Sequence, residues 1–441
     1  MGVEERLKGE NGKMKSDLEQ TEIEASYELP EGWKWISIGE CCEKAFSGKS
    51  PKYSKEETPY KIIGQQANQR YGIDLKFVKF GTQEYAEAQA DFYYLQYNDV
   101  ILNTLGTGSI GRSGIYKYHE KILTDGHPFV FRTGTKYSPD LLFYYFRLNE
   151  QEIINTANGS TNQKFLSLKT FSKFPIPLPP TLAEQQRIVK RIESMFSKLD
   201  EAKEKAQNVV DSFETRKAAI LHKAFTGELT AKWRKENGVS DDSWVEKTIG
   251  EICLVKGGKR VPKGMSLIKE KNEHPYLKAG NLKFGTVIDK DMEYVPNDVF
   301  ILIKNYTVNA GDVYITNVGA CIGDCGIIPD YYHGANLTEN AVKLTEMICN
   351  NSYLAKQLSS NLVQTQIKSK IKSATLGKLS IDNIKQLKIN LPTLTEQVEI
   401  VRILDIIIEK ENKAKQAAEA VLEQIDLLKK SILARAFRGE L

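Results

Sequence analysis

Apolar residues in two stretches of the chain step by four and three. The first runs through Ile188, Ile192, Met195, Leu199, Ala202, Ala206, Val209, Phe213 and Ile220. The second runs through Ile400, Leu404, Ile407, Ala414, Ala418, Val421, Ile425, Leu428 and Ile432. Lys and Glu fill many of the remaining positions, which predicts two long helices joined along a coiled-coil seam. Each helix opens on a Thr-x-x-Glu capping box, Thr181 with Glu184 and Thr393 with Glu396, and stops at a glycine, Gly227 and Gly439. At 1.5 Å per residue, a helix from 183 to 225 is about 65 Å long and must project from the module before it.

Upstream of each helix the rhythm changes. DVILNTL, PFVFRT, DVYITNV and AVKLT are β-branched and aromatic runs bounded by Gly, Asn and Asp turn signals. PDLLFYYFRLNEQEIINTA from Pro139 and SYLAKQLSSNLVQTQIKSKI from Ser352 carry helical periodicity. Each module then leaves through a Pro-containing segment, FPIPLPP (Phe174 to Pro180) or KINLP (Lys388 to Pro392).

The order is therefore written twice. Thr181–Leu229 aligns without a gap to Thr393–Leu441, with about 19 of 49 positions identical. Upstream, Trp33, Ile38, Gly39, Glu40 and Cys42 answer Trp244, Ile249, Gly250, Glu251 and Cys253, while Asp99-Val100 and Gly106 answer Asp312-Val313 and Gly319. The shared residues are mostly Gly, Pro and apolar, so two modules have one scaffold and different surfaces. The expected organisation is an N-terminal tail (1–29), a first module (30–180), a helical spacer (181–229), a linker (230–243), a second module (244–392) and a second spacer (393–441). The fold class is α+β, with two mixed α/β domains separated by an antiparallel pair of long helices in a pseudo-two-fold repeat. Small residues Ala202, Ala206, Ala414 and Ala418 fall near the middle of the pair, and the Gly238-containing linker reads as a flexible joint.

Composition narrows the class without choosing within it. The chain has 441 residues, 61 Lys and Arg against 57 Asp and Glu, and a net charge of +4. Binding to nucleic acid depends on where such charge clusters, not on the total. No apolar stretch approaches the roughly 18 residues that span a bilayer. The charged start lacks an apolar signal segment, and six scattered cysteines suit a reducing compartment. A soluble cytoplasmic protein is expected.

LPEGW at Leu29, the paired LPPTLAEQQRIV and LPTLTEQVEIV segments and the AF-x-GEL helix ends together resemble the DNA-specificity (S) subunit of type I restriction-modification enzymes. The resemblance implies two target-recognition domains, each reading half of a split double-stranded DNA sequence. It also implies helical regions that dock two methyltransferase subunits, with restriction/motor subunits completing the complex. By the same resemblance no cofactor is bound by this chain, S-adenosylmethionine and ATP belonging to partner subunits, and no membrane is involved. The alternatives are a stand-alone S-adenosylmethionine-dependent methyltransferase and a coiled-coil adaptor with no DNA role. Against the first, no N-P-P-[FY] or D-P-P-Y segment occurs.

GTGSIG (Gly106 to Gly111) matches a dinucleotide fingerprint, but RSGIYKY follows it where a helix is required. A turn between strands is expected there, with Thr107, Ser109 and Arg112 as candidate DNA contacts. Cys321 and Cys325, with His333 nearby, lack a second ligand pair, and the two cysteines read as buried small hydrophobes, so no metal is assigned, and no catalytic residue is assigned either. DNA contacts are expected from polar loops. In the first module these carry Lys49, Lys52 and Tyr53; Gln65, Gln66, Asn68, Gln69 and Arg70; and Ser160, Thr161, Asn162 and Lys164. Their amides and guanidinium suit base edges. In the second they carry Lys256, Lys259, Arg260 and Lys263; Asn281 and Lys283; and Lys370, Lys372, Ser373, Thr375 and Lys378, where clustered lysines suit phosphates.

Overall fold

The computed structural model describes residues 27–441 apart from 71, 107, 160–163 and 373–376, and the backbone alone of Lys372. Most of the expected N-terminal tail, and the candidates Thr107, Ser160, Thr161, Asn162, Ser373 and Thr375, lie outside the described residues. The chain divides into two compact units, one of residues 1–205 with 421–441 and one of residues 206–420. Each unit therefore holds one module and a stretch of each long helix.

In the first unit, strand Lys34–Ser37 pairs antiparallel with the departing strand Pro175–Leu178, so the module's two ends lie side by side. A four-stranded antiparallel sheet orders Lys44–Ser47, Phe129–Arg132, Val100–Leu102 and Ser113–Ile115. Its two central strands, Phe129–Arg132 and Val100–Leu102, read as nearly unbroken apolar runs because both faces are covered. Val100, Leu102, Phe129 and Phe131 enter one core, while Ile101 and Val130 on the alternate positions enter another. A smaller sheet sets Lys61–Ile63 parallel to Ile122–Thr124.

The second unit repeats this plan. Val245–Thr248 pairs with Lys388–Leu391, and the sheet orders Leu254–Gly257, Ala341–Thr345, Val313–Thr316 and Cys325–Ile327. Pro275–Leu277 runs parallel to Asn336–Leu337. The repeated aspartates anchor both sheets. Buried Asp99 takes Arg132 at 2.7 Å and the Gln96 amide, and Asp312 takes Lys343 at 3.6 Å and the Asn309 amide. Burial raises the Asp99 pKa against the pull of Arg132.

Within each unit the helical stretches run antiparallel. In the first, Arg187 donates to the Leu441 carbonyl at 2.7 Å while Asp200 receives Lys429 at 2.5 Å. In the second, Arg216 meets Glu411 at 2.8 Å, and Phe225 shares a core with Ile400 and Leu404. Several local readings need correction. The first helix is interrupted, as Leu182–Asp211 and Phe213–Phe225, where the Ser212 hydroxyl bonds back to the Asn208 carbonyl. The second is unbroken over Leu394–Phe437. Val421, Leu428 and Ala414 are exposed rather than seam residues, and Phe196 and Leu433 are buried beside the expected Met195 and Ile432. A nearly straight helix drifts about 20° per heptad, which moves the buried stripe by one position. The module helices also break, at Asn149 and at Ser359-Ser360.

The expected capping boxes are half formed. The Thr181 and Thr393 hydroxyls accept the Glu184 and Glu396 amides, but neither carboxylate turns back. Complete boxes occur instead at Ser37 with Glu40 and Thr248 with Glu251, opening the short helices after each module's first strand. Glu396 is fully buried and takes Thr230 Oγ1 at 2.6 Å, Arg234 Nη1 at 2.7 Å and Trp244 Nε1 at 3.2 Å. The linker is thus not a flexible joint. It folds into a helix, Ala231–Glu236, and is clasped to the start of the second long helix.

Candidate nucleic-acid interface

In the first module the polar loops converge on one edge. The Gln65 side-chain oxygen Oε1 accepts the Thr104 and Leu105 amides at 2.8 and 3.0 Å, tying the first loop to the glycine turn. That turn lies between paired strands Val100–Leu102 and Ser113–Ile115, with Gly106, Gly108 and Gly111 all at positive φ. A strand and not a helix follows it, so it lacks the helix N-terminus on which the dinucleotide fingerprint depends. Leu166 donates to the Thr104 carbonyl, and the Thr104 hydroxyl reaches the His127 carbonyl. Phe165, half exposed beside Lys164, bridges Leu105 and Asn158.

The second module rebuilds this junction with other side chains. Asn317 stands in place of Thr104: its backbone carbonyl accepts the Leu379 amide, its backbone N–H donates to the Asn340 carbonyl, and its side-chain Nδ2 donates to the Leu379 carbonyl at 3.4 Å. Gly48 and Gly258 make the same close approach, since a Cβ on either would lie 2.0 Å from the carbonyl oxygen of Thr124 or Thr338. After that strand stands a carboxylate. Asp125 neighbours Tyr53, whose pKa is pushed up to about 12 by burial first and then by the carboxylate. Glu339 takes Arg260 Nε at 2.5 Å.

These contacts sort the candidates. Asn68 and Asn281 are corrections: both are 1% exposed, with their amides spent on backbone carbonyls, so neither edge is available to a base. Gln65 commits its Oε1 to two backbone amides. Arg70 closes its fork on Glu150 at 3.1 and 3.0 Å, and Arg112 spends both terminal nitrogens on the Asn68 and Gly108 carbonyls. Ser109 caps the turn through the Leu105 carbonyl. Lys52 meets Glu84, Lys256 meets Glu346, and Lys370 meets Gln386. Lys49 and Lys259 lie over the rings of Tyr93 and Tyr306, and Lys283 lies 3.8 Å from Cys321 Sγ. Gln66, Lys263 and Lys378 are exposed, whereas Gln69 folds onto the Gln66 carbonyl. Thr104, Asn317, Asp125 and Glu339 escaped sequence reasoning; their signal was their place next to the repeated strands. Cys325 is core, but Cys321 is only half-buried, a correction to the expectation that both are buried, and no cluster that could hold a metal occurs among the described residues. Nor does any described helix have the length and apolarity to cross a membrane.

A family model described as the type I restriction modification DNA specificity domain matches residues 30–211 and again 241–424. The EcoBI specificity subunit of Escherichia coli is 25% identical over 320 residues, which are 68% of this chain and 65% of that subunit. The EcoKI specificity subunit of E. coli K12 is 27% identical over 65% of this chain and 62% of its own length, so the chain spans just under two thirds of these two relatives. The MjaVIII specificity subunit of Methanocaldococcus jannaschii is 24% identical over 94% of both chains. In fold, the chain is similar to the crystal structure of the HsdS subunit from Thermoanaerobacter tengcongensis, with a TM-score of 0.67 and 19% identity over 95% of this chain and all of that one.

Proposed function

Because the chain belongs to the type I restriction-modification DNA specificity family, we propose that it reads a bipartite double-stranded DNA sequence, one half with each module. The observation that carries this reading is the repeated loop junction. Thr104 and Asn317 hold equivalent loop edges on equivalent sheets, yet the side chains those edges present differ. One scaffold with two surfaces suits two half-sites of different sequence, because base edges in the major groove are distinguished by side-chain donors and acceptors.

In this reading the long helices dock two methyltransferase subunits, and restriction/motor subunits join them in the cytoplasm. The chain itself binds no cofactor: S-adenosylmethionine and ATP act in the partner chains. The turn at Gly106–Gly111 weighs against a methyltransferase site here, because two strands and no helix flank it. The test is to co-express the chain with its methyltransferase partner and map methylated adenines across the host genome. Adenines methylated only within one split sequence support the proposal. Methylation that persists unchanged without this chain, or that follows no split sequence, refutes it.

A further inference from the structure

The loop KGGKRVPKG reads from sequence as a phosphate-binding lysine cluster, but its arginine is built for another task. Its backbone is pinned on both sides of Gly258-Lys259. Gly258 donates to the Ala341 carbonyl at 3.0 Å, Lys259 donates to the Leu337 carbonyl at 2.8 Å, and the Tyr276 hydroxyl donates to the Lys259 carbonyl at 2.9 Å. The close approach of Gly258 to Thr338 presses the same segment onto the strand. The loop therefore presents Arg260 from a fixed base.

The side chain is held as well. Arg260 Nε donates to Glu339 Oε1 at 2.5 Å, and Thr338 Oγ1 donates to the other Glu339 oxygen at 3.1 Å. Arg260 is nevertheless 77% exposed, and its two terminal nitrogens have no partner among the described residues. Arg70 and Arg112, the other candidate arginines, spend both of theirs within the protein. Glu339 also decides what the open fork can accept. A carboxylate beside the guanidinium repels a phosphate and offsets the charge that would attract one. It leaves intact two parallel N–H donors, which match the O6 and N7 acceptors of guanine in the major groove.

We propose that Arg260 is a guanine-reading residue of the second module and that Glu339 is its positioning residue. This rests on the functional reading above. The test uses the full chain assembled with its methyltransferase partner, carrying Arg260→Lys, Arg260→Gln or Glu339→Gln. Binding is measured to the mapped duplex, to duplexes with each G·C pair of the second half-site replaced, and to duplexes with 7-deazaguanine at those positions. The wild type should lose about tenfold to a hundredfold at one guanine when it is replaced, and part of that when its N7 is removed. Arg260→Lys keeps the charge but not the fork, and should bind all these duplexes alike at that position, as should Arg260→Gln. Glu339→Gln should narrow the discrimination there without weakening binding to unrelated DNA. The first half-site should remain as before in every variant.

Arginine variants that lose affinity equally on every sequence, with a salt slope smaller by about one, would reveal a phosphate contact and overturn the assignment alone. Unchanged discrimination in Arg260→Lys and Arg260→Gln would overturn it too. A wild-type complex with no sequence preference would overturn the functional reading and this assignment with it.

Discussion

Replacing Glu396 with alanine removes the centre of the clasp that seats the segment 230–244 on the second long helix. Arg234, whose side chain is 8% exposed, would keep the Thr230 hydroxyl at 3.2 Å and, as its one remaining carboxylate among the described residues, Asp241, itself 87% exposed. The Thr230 hydroxyl and the Trp244 indole would lose the same carboxylate. Breaking a buried pair from one side costs about 3–5 kcal/mol, because the remaining charge stays desolvated. In a domain of this size each kcal/mol shifts the midpoint by about 2–4 °C, so the second unit should melt roughly 6–20 °C lower. Asp241→Asn should cost less than about 1 kcal/mol, as exposed pairs do. Glu396→Met combined with Arg234→Met should recover most of the loss, since no uncompensated charge remains. Thermal unfolding followed by hydrogen exchange at Thr230–Arg234 reports this unit specifically. A midpoint for Glu396→Ala within about 2 °C of that for Asp241→Asn would refute the reasoning.

Three further outcomes follow from local geometry. The Thr248 box draws the Glu251 pKa down from 4.5 to about 2, chiefly through the Thr248 backbone amide. Unfolded Glu251 then binds more protons between these values, so its contribution is present above pH 4.5 and lost as pH falls towards 2, and Glu251→Gln should flatten that part of the acid-unfolding curve. Gly48→Ala and Gly258→Ala should each cost about 1–3 kcal/mol or more in thermal or denaturant unfolding, because a backbone carbonyl cannot yield, whereas Gly280→Ala, with nothing within 4 Å of its Cβ, should be near neutral. Four residues inserted at Gly238 should loop out, because Arg234 and Trp244 on either side are both held by Glu396; the gap between half-sites, mapped by adenine methylation, should stay unchanged.

Features repeated in the chain were the legible ones. The strand runs, the glycine helix stops and the duplicated order were visible because burial on both faces and backbone sign constrain residue type strongly. Gly227 and Gly439 indeed sit at positive φ. The clasp was not legible, since Thr-x-x-Glu spacing is equally consistent with a carboxylate that caps its own helix and with one captured by Arg234 from 162 residues away. The seam drifted because period 3.5 in sequence is not period 3.6 in a straight helix. At the candidate interface, residue type alone could not separate Asn68 and Asn281, which brace loops from inside, from Gln66 and Arg260, which face outward. Amides and guanidinium groups serve both tasks, and only the positions of their partners distinguish them.

The central claim is that two modules read two half-sites independently. It is tested most directly by exchanging residues 30–180 for the equivalent domain of another specificity subunit and mapping methylated adenines in cells that supply the methyltransferase. One half of the recognised sequence should change to that of the donor while the other half stays the same. A sequence that changes in both halves, or in neither, would contradict the account.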